Sequence, residues 1–150
     1  MNELQAVKLV NITPPAAAVS AGSFTTAVVD TIGYDYATIV CHFGAIGAAG
    51  VTALKVQHSD VSNASFTDIT GASFDGGAGP KGEVLALPAN ADDDKLFKFE
   101  VDLRGRKRYL DLVATAGADA VFMSAHAVLS RAEVAPVSST GQASGGTCRV

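Results

Sequence analysis

The chain has 150 residues, 48% of them apolar and only 17% charged, which excludes a chain disordered throughout and suits one domain with its own core. A formal net charge of −4 and a pI near 5.2 argue against nucleic-acid binding by the whole surface and leave room only for a local basic patch. Four Glu, two Met and no Trp against 15 Gly shift the balance from long helices toward strands and tight turns.

The first 22 residues, MNELQAVKLVNITPPAAAVSAG, carry Glu3 early, lack a basic leading segment and are broken by Asn11 and Pro14-Pro15. They read as neither a signal peptide nor a membrane span. The expected place of synthesis is therefore a reducing cytoplasm.

Period-two alternation then dominates, as in half-buried antiparallel strands whose successive side chains point to opposite faces. Candidate strands in chain order are 7–12, 24–30, 35–43, a run around Leu54 to His58, 65–70, 83–87, 95–103, 108–115 and 121–130, about nine in all. The clearest is KLFKFEVDL, with Phe97, Phe99, Val101 and Leu103 on one face and Lys98, Glu100 and Asp102 on the other. Val121, Met123, Ala125, Ala127 and Leu129 likewise share a face. Turn residues separate the runs, from Pro14-Pro15 through Gly44 to Gly50 and Gly76 to Gly82, and no connection holds a crossover helix. The expected fold class is all-β: an antiparallel β-sandwich, jelly-roll-like, with extended N- and C-terminal arms. Its domain spans 1–135, with an N-terminal arm over 1–6. Residues 136–150, a stretch rich in Gly, Ser and Thr, form a C-terminal arm expected to pack on a neighbouring subunit.

The chemistry-bearing residues form no catalytic pattern. GGAGPKG lacks the Gly-Lys-Ser/Thr and following helix of a phosphate loop, and ADDDK lacks the alternating acids of a calcium loop. His42, His58 and His126 share no metal spacing, and adjacent Cys41 and His42 point to opposite faces of a strand. Cys41 has the parity of Ile39 and Phe43, which makes it a buried thiol; Cys148 sits in the tail, either unpaired or linking subunits. The reading is of a protein that is not an enzyme and has no cofactor, metal or membrane partner.

The most unusual stretch is DLRGRKRYLDL, where Arg104, Arg106, Lys107 and Arg108 supply four of the eleven cations. The flanking alternation places them on a hairpin turn with Gly105 at positive φ, beside the acids at 92–94. Nucleic-acid readers add exposed aromatics or a basic helix, so nucleic acid is an unlikely partner for this turn.

Three segments carry a resemblance: AVKLVNITPPAAAVSAGSFTTAVVDTIGYDYATIVCHFGA, ALKVQHSDVSNASFTDITGASF and KLFKFEVDLRGRKRYLDLVATAGADA. Together they resemble small structural proteins of tailed bacteriophages. The matching positions are Leu54 to Asp60, Phe66 to Ile69, and Leu103 to Leu110. The piece VQHSD…FTDI is also similar to the sandwich domains of carbohydrate-binding modules. The resemblance implies a capsid decoration (cement) protein on the head surface of a virion, a homo-oligomer with a trimer favoured, whose partner is the major capsid protein. Arg104, Arg106, Lys107 and Arg108, with Cys148, Arg149 and Val150 of the tail, are then the candidate capsid or subunit contacts. The alternatives are a glycan-binding sandwich module on the virion surface and a tail or connector component.

Overall fold

A computed structural model describes residues 6–133. Eight strands form: β1 (Lys8–Thr13), β2 (Val29–Asp30), β3 (Tyr34–Ile46), β4 (Val51–Ser59), β5 (Thr67–Ser73), β6 (Leu96–Asp102), β7 (Tyr109–Ala116) and β8 (Val121–Ala132). They divide into two four-stranded antiparallel sheets, ordered β1-β8-β3-β6 and β2-β7-β4-β5. The pairs β1–β8, β2–β7, β3–β6 and β4–β5 are those of one long hairpin, folded in half at β4–β5 and then rolled up. Rolling adds the ladders β3–β8 and β4–β7, and the product is a jelly roll. The expected all-β sandwich is therefore what forms. Of the two expected arms, residues 1–6 lie outside the described residues except for Ala6, and residues 136–150 lie wholly outside them.

The alternation in the sequence builds the core. Phe99, Val101 and Leu103 are buried from β6 and the residue after it, Val121, Met123, Ala125, Ala127 and Leu129 from β8, and Leu54 and Val56 from β4. Cys41 is buried between Ile39 and Phe43, as its parity indicates, and burial pushes its thiol up to about 12, so at neutral pH it is no nucleophile. At one end of the core Phe74 meets Phe97 and Phe99 edge to face, at centroid distances of 5.3 and 5.0 Å, and Phe97 meets Phe43 at 5.5 Å.

Two candidate strands are corrected. Of 24–30 only Val29–Asp30 joins a ladder, although Ser23 bridges Thr115 and Phe24 N donates to Ala114 O, so the segment follows the edge of β7 irregularly. The run 83–87 is no strand. Its alternation finds no partner strand and closes on the preceding glycines instead: Gly79 N donates to Glu83 O, Leu85 N to Gly77 O, and Ala78 bridges Val84. Val84 is left 83% exposed. Gly71 is needed where this loop crosses β5. Its φ is +81°, and a Cβ there would lie 2.5 Å from Pro80 Cγ.

Phe43 has no exposed surface. Phe43→Ala is expected to lower the unfolding free energy by about 3–5 kcal/mol. Leu96→Ala, at a side chain 65% exposed, should stay within about 0.5 kcal/mol. Urea denaturation monitored by tyrosine fluorescence measures both, and similar values for the two would place the core elsewhere.

Candidate functional site

The basic stretch is not a hairpin. β6 belongs to one sheet and β7 to the other, so residues 103–108 arch over the end of the sandwich from sheet to sheet. Alternation could not reveal this, because β6 and β7 bury the same kind of side chain whether they pair or face each other. The turn itself is as expected: Arg106 N donates to Leu103 O at 2.9 Å, with Gly105 at φ +78°. The acids at 92–94 are not its neighbours. They precede the opposite end of β6, seven residues and roughly 20 Å away. There Asp92 accepts from Ala89 N at 3.0 Å and pairs with Lys95 at 2.9 Å, while Asp93 accepts from Ile46 N at 2.8 Å.

Two of the four cations are held by other carboxylates. Arg104 forks onto Asp102, Nε to Oδ1 at 3.0 Å and Nη2 to Oδ2 at 2.7 Å, and donates to the Tyr36 hydroxyl at 2.9 Å. The guanidinium hydrogen bond, joined by the Arg104 backbone N–H, lowers the Asp102 carboxyl to about 2. Arg108 forks onto Asp30, at 2.8 and 2.7 Å, which likewise lowers the Asp30 carboxyl and raises the guanidinium. Arg106 is exposed and Lys107 half-buried, and neither has an acidic partner among the described residues.

The fold gathers more around them than the sequence indicated. All three tyrosines, Tyr34, Tyr36 and Tyr109, and all four described arginines lie at this end. Guanidinium groups cover the rings: Arg104 and Arg131 sit 5.4 and 5.5 Å from the Tyr36 centroid, and Arg108 lies 4.9 Å from that of Tyr109. Six cations (Lys8, Arg104, Arg106, Lys107, Arg108, Arg131) meet five acids (Asp30, Asp35, Asp60, Asp102, Glu133), a net of +1. β1 starts here and β8 ends here, so residues 1–5 and 134–150 attach at this same end. Cys148, Arg149 and Val150 lie outside the described residues. Tyr34, Tyr36, Asp30, Asp35 and Arg131 carry no sequence motif; only their strand-end positions, known once the sheets are assembled, bring them to the turn.

Among the described residues no group of three or more His, Cys, Asp or Glu side chains could hold a metal ion, and no helix is long and apolar enough to cross a membrane. The chain matches no protein-family model, and no curated protein matches it.

His58, at the end of β4, anchors the arch by accepting from Lys107 N on Nδ1 at 3.3 Å. Burial, with Lys107 and Arg106 adding to it and Asp60 opposing, holds its pKa below the ordinary 6.5. An imidazolium has no acceptor at Nδ1, so protonation also breaks this contact. A lowered folded-state value means that the stabilisation is complete above pH 6.5 and declines as pH falls from there toward the folded-state value. Melting temperatures across that range should therefore fall less steeply in His58→Gln than in the wild type. An NMR titration placing His58 above 6.5 would contradict this assignment.

Proposed function

We propose that the protein is a non-enzymatic virion structural protein, a decoration (cement) protein that binds the head of a tailed bacteriophage as a homo-oligomer and stabilises it. The observation that carries the reading is the concentration of every tyrosine and every described arginine at the end of the sandwich to which both terminal segments attach. Tyr and Arg are the residues that dominate the energetics of protein interfaces. A docking end of that kind on a two-sheet scaffold with a continuous core meets the requirement of a protein that attaches to a preformed lattice. The similarity of residues 6–45, 53–74 and 95–120 to small phage structural proteins points the same way, and jelly rolls recur among capsid proteins. Self-association finds support on the outer face of the first sheet, where Leu9, Leu96 and Phe122 are exposed on one side. Attachment of an oligomer lets several modest contacts act together.

A glycan-binding role is less well supported: Trp is absent, and the rings of Tyr36 and Tyr109 are occupied by guanidinium groups rather than open to a sugar face.

Purified phage heads should contain the protein in a fixed ratio to the major capsid protein. Heads assembled without it should rebind purified protein and then withstand a higher temperature before releasing DNA. Sedimentation equilibrium of the isolated protein should give an oligomer, shifted toward monomer by Phe122→Ser. Heads that lack the protein, or that fail to rebind it, would overturn the reading.

A further inference from the structure

The arch exposes a small amphipathic tip. Ile32, just beyond β2, is 63% exposed, and Val61, just beyond β4, is 50% exposed. In the order β2-β7-β4 the ends of β2 and β4 flank the start of β7 roughly 10 Å apart, and each is followed within two residues by one of these apolar side chains, so residues 106–108 enter β7 between them. The surroundings are held in place. Ile32 N donates to Asp30 Oδ1, the same carboxylate that grips Arg108, and Thr31 Oγ1 donates to Arg108 O at 2.6 Å. On the other side Val61 N donates to Ser59 Oγ, and Lys107 N reaches His58. The two cations without acidic partners therefore stand on a fixed base with an apolar residue on either side.

We infer that Arg106, Lys107, Ile32 and Val61 form a protein-docking tip whose partner is an acidic protein surface bearing apolar side chains among its carboxylates. The inference rests on the docking-end reading above and adds the chemistry of the partner. Charge complementarity selects it: Arg104 and Arg108 have their carboxylates already, while Arg106 and Lys107 have none among the described residues. A polyanion fits poorly, because only two of the arch's four cations lack carboxylate partners among the described residues, too few to track a run of phosphates. Base stacking fits poorly as well, since guanidinium groups lie over Tyr36 and Tyr109. An anionic membrane attracts clusters of four to eight cations, about twice what is available here or more.

The test uses the full-length chain and fluorescence anisotropy at low salt. The probes are an Asp/Glu-rich peptide with two central leucines, its Asn/Gln counterpart, oligothymidylate, and vesicles of phosphatidylglycerol and phosphatidylcholine. The acidic peptide should bind best. Arg106→Ala with Lys107→Ala should weaken it by about tenfold, and Ile32→Ser with Val61→Ser by about threefold or more. Lys95→Ala, at the far end, should leave it unchanged. All four positions reach solvent, and unchanged melting temperatures establish that the variants fold. Equal binding of the neutral peptide, tighter binding of oligothymidylate or vesicles, no binding of the acidic peptide, or indifference to both double variants would each overturn the inference. Absence of the protein from phage heads would end the decoration reading and leave the peptide result standing. Loss of peptide selectivity would end the docking chemistry and leave residence on the head intact.

Discussion

The ladder between β3 and β8 joins the first third of the chain to its last described strand, from Tyr34↔Ala132 through Cys41↔Ala125 to Ile46↔Val121. The rest of the sandwich depends on it. It seats β8 between β1 and β3 and fixes β3 as the strand on which β6 must pair, and it sets the height at which β6 gives way to the arch. Such pairing closes a very long loop before it gains hydrogen bonds, so the entropic cost comes early in folding and the fold should form slowly. The cost is offset by burial along the whole ladder, where Ala37, Ile39, Cys41 and Phe43 on β3 lie beside Leu129, Ala127, Ala125 and Met123 on β8, all facing the second sheet.

The same ladder makes the arginine end a preorganised surface. Tyr36 on β3 stands between Ser130 of β8 and Asp102 of β6, which puts it within reach of both Arg104 and Arg131. Exposed ion pairs such as Arg104–Asp102 and Arg108–Asp30 contribute little to stability, because solvent screens them and two side chains must be ordered to make each contact. Their effect is geometric. A forked guanidinium–carboxylate contact on a tyrosine face removes rotamers from a long side chain before any partner arrives, which lowers the ordering cost of association. The four-cation stretch thus separates by role: Arg104 and Arg108 brace the arch, and Arg106 and Lys107 are left to face outward.

Much of the fold was legible in the sequence, and the reasons for the gaps are specific. Which side of β4, β6 and β8 is buried follows from alternation alone, because a pleated strand between a core and water has no other way to place Leu54, Phe99 or Met123. Which strands share a sheet does not follow, since parity is identical for a hairpin and for an arch; the sequence therefore marks the turn at Gly105 without marking what the turn connects. The run EVLAL has the right alternation and too few partners: β6 already holds the edge beside β3, and the glycines before it offer a nearer hydrogen-bonding partner than either sheet. The site was legible only at the four cations, because the residues that convert them from a charge cluster into a braced surface come from the ends of six strands, β2, β3, β4, β6, β7 and β8.

Charge is distributed along the strands as well as across them. The loops at the far end carry Asp75, Glu83, Asp92, Asp93, Asp94 and Asp119 against Lys81 and Lys95, a net of −4, while the arginine end carries +1. Several of those acids accept hydrogen bonds from loop N–H groups, Asp93 from Ile46 and Asp119 from Ala49 at 2.9 Å, so they serve the turns in which they stand. Their position has a further consequence. A molecule polarised along its long axis is oriented by any charged surface it approaches, and an acidic surface draws the arginine end forward while it repels the opposite loops. The repulsion would cost a docked complex little, because the far loops lie several Debye lengths behind such a contact at physiological salt, with strands of seven to thirteen residues between. On the docking proposed above, orientation would come from the acids kept away from the contact, and grip from the two cations and two apolar residues brought to it.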